Sequence, residues 1–310
     1  MSAIGGVLDE VDDVRSLSID SIARRPAHDT RVLVEPTFFD REYVINPHMG
    51  GSVDTERARE QWTRLKQVYE RRVDDVRVLD PRRTGRELAS DGGAPDPADR
   101  PDMAFVANHA LATADGAGFV LARMATPERA GEPAHFRDWA EREGYEVRPA
   151  PDAVFEGMGD ALWHPERRLL WAGHGVRSDR AACDELAATL DATVVPLELT
   201  SERYYHLDVS MAPLSPSTAL VQPDAFTDAG LAKLDAVFER VLEAPADEST
   251  DGLAVNVEVV DDTVVLGDDL PETAALLRSA GFDVVSVATS EFQKAGGSVC
   301  CLTLAAGTPA

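Results

Sequence analysis

A recurring joint constrains the fold of this chain more than any other feature of its sequence. At 132–147, in Glu-Pro-Ala-His-Phe-Arg-Asp-Trp-Ala-Glu-Arg-Glu-Gly-Tyr-Glu-Val, a proline opens an amphipathic helix, a glycine ends it, and an aromatic–acid–Val step begins a strand. The segment 270–284, Leu-Pro-Glu-Thr-Ala-Ala-Leu-Leu-Arg-Ser-Ala-Gly-Phe-Asp-Val, repeats that order. Proline suits the first helical turn, where its missing N–H leaves no bond unmade, and glycine adopts the left-handed conformation that closes a helix. Cys183 to Val195 has the same helix-then-strand shape without the glycine. Such joints occur in any α/β protein, but an array of similar strand–helix modules would sum to a repeat architecture.

Apolar runs and turn residues predict strands at Arg31–Glu35, Met103–Ala107, Glu146–Val147, Leu169–Trp171, Thr193–Leu199, Ala219–Gln222, Thr263–Leu266, Asp283–Ala288 and Ser298–Leu304. Helical spacing predicts helices at Thr55–Val73, Pro133–Arg142, Ser178–Leu190, Asp228–Leu242 and Pro271–Ala280. Residues 1–30 are acidic and without period, and read as a frayed, flexible arm; Arg82–Pro101 reads as a surface loop. With 310 residues, 44% of them hydrophobic, the segment 31–310 is long enough for one α/β domain with a full core. Neither a G-x-G-x-x-G after the first strand nor a G-x-x-x-x-G-K-[ST] is present, so neither phosphate-cradling loop is expected.

The formal net charge is −25, and lysine is confined to Lys66, Lys233 and Lys294. The acidic residues are spread along the chain, which points to a surface that holds water and counterions at high ionic strength. At molar salt the Debye length is about 3 Å, short enough to suppress the self-repulsion of such a charge. No basic stripe is available for phosphates, so nucleic acid is not expected as a partner. The longest apolar stretches fall short of the ~20 residues of a membrane helix. The opening Met-Ser-Ala-Ile-Gly-Gly has neither the basic start nor the apolar run of a secretory signal, and a cytoplasmic protein is expected. Cys183, Cys300 and Cys301 make neither a disulfide framework nor a metal-ligand spacing.

Chemistry concentrates near the C-terminus, in Ser290-Glu-Phe-Gln-Lys-Ala-Gly-Gly-Ser-Val-Cys-Cys-Leu-Thr-Leu. Gly296 and Gly297 allow a tight turn, and the expected strand that follows puts Cys300 at a loop–strand junction that a substrate can reach. Adjacent strand residues face opposite ways, so one cysteine of the pair lines a site, and Cys300 is the expected nucleophile. A thiol nucleophile needs an acid–base partner. Of the seven histidines, His206 in Tyr204-Tyr-His-Leu-Asp208 is the candidate, since a strand would turn His206 and Asp208 to one face. His135 lies in a surface-type helix pattern and reads as structural. Glu156 and Asp160 flank a Gly-x-Gly bend between apolar residues in Val154-Phe-Glu-Gly-Met-Gly-Asp-Ala-Leu162. Carboxylates there are costly unless paired or working on a cation.

Four segments in this order, Phe105-Val-Ala-Asn-His-Ala, Phe155-Glu-Gly-Met-Gly-Asp, Tyr205-His-Leu-Asp and Gly296-Gly-Ser-Val-Cys, resemble the superfamily of arginine deiminases, dimethylargininases and amidinotransferases. The resemblance runs from about Val32 to Leu304 and implies a five-bladed pseudosymmetric α/β propeller, the pentein fold, with the site at its centre. It implies that Cys300 attacks a guanidinium carbon and forms a covalent thiouronium. His206 then protonates the departing amine and activates water. Glu156, with Asp160 as its alternate, and Asp208 hold the guanidinium, and Arg177 clamps the α-carboxylate through its bidentate fork. It implies no cofactor and no metal, an arginine or methylarginine substrate, and leaves a homodimer open. Arginine deiminases carry Arg-Asp where this chain has Ala107-Asn108, whereas arginine dihydrolases carry Asn. Dimethylargininase, arginine dihydrolase, amidinotransferase and a non-catalytic arginine-binding protein therefore all stay open, with Asn108 expected to touch the guanidinium or the reacting water.

Overall fold

The structure, a computed structural model, describes residues 5–84 and 95–309. Its described strands form five sheets built on one plan. In each, a short first strand pairs antiparallel with a second, a helix crosses over, and a third strand returns parallel to the second, the crossover being what a parallel pair requires. In chain order the blades are Ala110–Ala112, Gly118–Leu121 and Glu146–Arg148; Ala161–Trp163, Leu169–His174 and Thr193–Glu198; Met211–Ser215, Thr218–Val221 and Arg240–Glu243; and Glu258–Val260, Thr263–Gly267 and Asp283–Val287. The fifth blade joins the two ends of the chain, since Leu304–Ala306 pairs antiparallel with Thr30–Val34, which pairs parallel with Asp75–Leu79. The fold is thus the five-bladed α/β propeller that the motifs imply.

The recurring joint is the crossover of three of the five blades. Helices Glu132–Arg142 and Pro271–Ser279 carry proline in the first turn, and Gly144 and Gly281 follow them at φ +89° and +100°. After the helix Ala181–Leu190 that left-handed position is taken by Asp191 at φ +48°, which is why the third copy of the joint lacks a glycine. Helix Thr55–Tyr69 starts where the Asp54 side chain accepts the Arg57 N–H at 3.0 Å, and Asp228–Val237 where Thr227 accepts that of Gly230 at 3.1 Å.

Several sequence expectations are corrected. Met103–Ala107 is two 3-10 turns, Pro101–Ala104 and Val106–Asn108, and the strand begins only at Ala110. Leu207–Val209 is likewise a 3-10 turn, and residues 299–302 form a helical turn that delays the last strand to Leu304. All these segments are buried on every side at the centre of the propeller, where a continuous apolar run carries no period to separate turn from strand. The helix expected over Asp228–Leu242 ends at Val237, and Arg240–Glu243 is the third strand of its blade.

The acidic arm is not frayed. Gly6–Val7 adds a parallel fourth strand beside Thr193–Val194, the helix Val11–Arg15 packs against the helix Asp228–Val237, and Val14 and Ile22 are buried. Sheet-edge pairing and apolar burial offset the repulsion that an acidic segment carries. Of the expected surface loop, residues 85–94 lie outside the described residues, while Pro101 is buried.

The five first strands converge on a cavity of about 710 Å³, to which Leu111, Leu162, Met211, Val259 and Ala305 contribute one side chain per blade. The turns that precede those strands are largely apolar but carry a few buried polar side chains.

Candidate active site

These turns bring together Asn108, Glu156, His206, Asp208, Asn256 and Cys301, each no more than 2% exposed. The close approach depends on glycine. A Cβ on Gly159 would lie 2.2 Å from Asn108 Nδ2, and one on Gly297 would lie 2.4 Å from a Phe105 ring carbon. Backbone bonds lock the turns to one another: Ala107 N–H donates to the Cys301 carbonyl at 3.2 Å, and Tyr205 Oη donates to the Gly296 carbonyl at 2.7 Å.

His206 and Glu156 form a hydrogen-bonded pair, with Nε2 2.6 Å from Oε2. The second oxygen of Glu156 accepts the Ala125 N–H at 2.8 Å, and Arg177 Nη1 reaches Oε2 at 3.1 Å. Burial pushes the Glu156 carboxyl up, but the His206 hydrogen bond and the charges of His206, Arg177 and Arg129 outweigh it and hold the group well below the usual carboxylate range. The carboxylate is therefore ionised and fully engaged, and it fixes the His206 ring rather than presenting a free oxygen to a ligand. His206 Nδ1 has no hydrogen-bond partner among the described residues.

Asp208 differs. Its Oδ2 accepts the Cys301 thiol at 3.1 Å, while Oδ1 is buried and has no hydrogen-bond partner among the described residues. Burial raises this carboxyl to about 7, against the opposing hydrogen bonds of Cys301 and Asn256. An incoming cation would satisfy the free oxygen and favour the ionised form. Asn108 donates to the Glu156 carbonyl at 3.3 Å and accepts from Arg129 Nη1 at 2.8 Å. Arg129 is buried and bound to Glu132, with Nη2 to Oε2 at 2.7 Å. A small pocket of about 10 Å³ is lined by Asn108, Cys301, Arg129, Arg177, Asp102 and Tyr205, and by Ile45, Asn46 and Met49 of the long loop after Val34, among others. Arg177 stacks over the Tyr205 ring with 4.9 Å to its centroid and donates to the Ile45 carbonyl at 2.7 Å. Its guanidinium is thus shared between Glu156 and this loop.

Two expected site residues lie elsewhere. Cys300 lines the large cavity with Arg31 and Glu258, and makes no contact with the pocket. On the helical turn, successive side chains diverge by about 100° rather than alternating as on a strand. Here Cys301 is the residue that faces Asp208 and Asn108. Asp160 is also corrected as a ligand for substrate. Its Oδ2 accepts Ser178 Oγ at 2.6 Å and its Oδ1 accepts the Leu207 N–H at 3.1 Å, so it braces the turns that carry Glu156 and His206. Burial raises its pKa to about 6. Sequence reading missed Arg129, which sits in an ordinary charged stretch. It also missed Asn256, whose one signal is an amide inside the apolar run Ala254-Val-Asn-Val. Among the described residues no group of three or more His, Cys, Asp or Glu could hold a metal.

Known proteins resemble this chain in sequence and fold. The N,N dimethylarginine dimethylhydrolase (eukaryotic) family matches residues 94–306. The N(G),N(G)-dimethylarginine dimethylaminohydrolase of Mycobacterium tuberculosis is 38% identical over 297 residues, covering 94% of this chain and 90% of that protein. The bifunctional arginine dihydrolase/ornithine cyclodeaminase ArgZ of Synechocystis sp. is 36% identical over 297 residues, covering 91% of this chain; the chain spans only 38% of that relative's length. A crystal structure of the N-terminal domain of ArgZ, covalently bound to a reaction intermediate, superposes with a TM-score of 0.80 at 34% identity and covers 90% of this chain and 98% of that one. Five blades with a thiol, a histidine–glutamate pair and an amide on their central turns, together with this match over more than two thirds of the sequence, make the chain a member of the dimethylarginine dimethylaminohydrolase family.

Proposed function

We propose that this protein is a cysteine-dependent hydrolase of the guanidino group of arginine or an N-methylated arginine, with Cys301 as nucleophile. The observation that carries the reading is the Cys301 thiol, 3.1 Å from Asp208, in a pocket that also holds Asn108 and adjoins the His206–Glu156 pair. The free Oδ1 of Asp208 accepts from the guanidinium, and Arg129 or Arg177 takes the α-carboxylate. Burial and the Asp208 charge keep the Cys301 thiol well above its ordinary value in the empty site. A bound guanidinium reverses that balance, so the thiolate forms when substrate arrives. Sulfur attacks the guanidinium carbon, and His206, oriented by Glu156, gives its proton to the departing amine. The resulting thiouronium is attacked by water that His206 deprotonates; the C–S bond breaks, and the ureido product leaves with Cys301 restored. A pocket of about 10 Å³ admits no arginine, so the lining segment that includes Ile45–Met49 moves on binding.

A second reading, arginine dihydrolase, is favoured by Asn108. Arg129 fixes its Oδ1 and so turns its Nδ2 toward the site, where a neutral amide can hold a ureido group for a second attack that ends in ornithine, ammonia and carbon dioxide. The spread of negative charge and the scarcity of lysine support a salt-adapted protein. The deciding experiment is incubation in molar KCl with arginine and methylarginines, with and without an amine acceptor, followed by separation of citrulline, ornithine, amines and amidino products. No turnover and no covalent adduct on any of them would sink the hydrolase reading in favour of the non-catalytic one; amidino transfer would make it a transferase.

A further inference from the structure

The reaction above uses turns from four of the five blades. The fifth, ahead of strand Glu258–Val260, contributes Asn256, which lies 48 residues after Asp208, one blade further on. Asn256 is 1% exposed and its side chain spends every contact on the nucleophile and its neighbour. Oδ1 accepts the Cys301 N–H at 3.2 Å, while Nδ2 lies 3.1 Å from Cys301 Sγ and 3.2 Å from the Asp208 carbonyl. The backbone N–H can only donate, so it fixes which end of the amide is oxygen and leaves the N–H₂ facing sulfur.

We propose that Asn256 is a positioning residue for the nucleophile, holding the Cys301 turn against Asp208 and donating to sulfur a hydrogen bond that strengthens as thiol becomes thiolate. The inference rests on Cys301 being the nucleophile. Hydrogen bonds to an ionised partner are stronger than neutral ones, so the N–H···S contact is worth more to the thiolate than to the thiol. Around the sulfur, Asp208 is in contact and opposes ionisation, and Tyr205, Asp102, Arg129 and Arg177 line the same pocket. Among the described residues, Asn256 is the side chain that donates directly to sulfur.

The test compares wild type with Asn256→Ala and Asn256→Leu. It follows alkylation of Cys301 by iodoacetamide against pH by peptide mass spectrometry, with kcat and KM alongside. The Leu variant is near-isosteric, removes the donor and adds no charge beside sulfur, so it carries the test if the alanine variant does not fold. In both, the alkylation midpoint should move up by about one pH unit, and kcat should fall about 10- to 100-fold with KM little changed. A merely structural residue would alter melting without moving the midpoint. Folded variants with the wild-type midpoint, or with a raised KM and unchanged kcat, overturn the inference. If the wild-type adduct maps to Cys300, the assignment of the nucleophile falls instead; if it maps to Cys301 and the midpoint does not move, only the role of Asn256 is lost.

Discussion

The two adjacent cysteines should respond to substitution in opposite ways. In Cys301→Ser the hydroxyl can keep both side-chain contacts of the sulfur, to Asp208 and to Asn256 at 3.1 Å, so the fold should survive. What is lost is the nucleophile, because a hydroxyl ionises far less readily than a thiol. Removing the nucleophile of a unit that acts together costs about 10⁴ or more in kcat, about 5.4 kcal/mol at 1.36 kcal/mol per tenfold. Cys300→Ala removes one buried sulfur on the wall of an existing cavity of about 710 Å³. The void is already present, so the expected loss is about 1 kcal/mol of stability, with kcat/KM within about threefold of wild type. Turnover in high salt, melting temperature and the mass of the acid-quenched enzyme settle the matter: the thiouronium adduct, still carrying the amino-acid chain of the substrate, should appear on Cys301 and persist in Cys300→Ala. A folded but inactive Cys300→Ala, or an adduct on Cys300, would refute the geometry argued here.

Asp208→Asn should abolish turnover yet raise the melting temperature at pH 8. The carboxyl is raised in the fold from 3.8 to about 7, so its stabilising balance is intact below pH ~4 and lost as pH rises through 7; at pH 4 the two proteins should melt alike, and a gain there instead would contradict the sign. Asn108→Asp places a carboxylate against Arg129 and should shift the products of arginine toward citrulline; unchanged rate and products in both Asn108→Asp and Asn108→Ala would put the residue outside the chemistry. Lowering KCl from molar to millimolar should depress the melting temperature, since a charge of −25 is then unscreened, and a flat profile would remove the case for salt adaptation.

Local chemistry is what the sequence by itself determined. Pro133 and Pro271 open helices and Gly144 and Gly281 close them because φ and the N–H are properties of single residues, legible wherever the chain goes. The resemblance carried by the ordered motifs implied a site at the centre of a propeller, and Asn108, Glu156, His206 and Asp208 are buried together on the central turns. Only the tertiary structure decided which of two adjacent thiols faces them. The segment 299–302 is buried on all sides, so its residues carry no alternation to separate turn from strand, and a turn in place of a strand redirects each side chain by about 80°. The same holds for the roles of Asp160 and Asn256. A buried carboxylate and a buried amide read alike as candidates, and the partners that make one a brace and the other a support for sulfur come from Ser178, Leu207 and Cys301, on turns of other blades or distant in sequence. Packing five blades around one axis creates those contacts, and no local property of the chain encodes them.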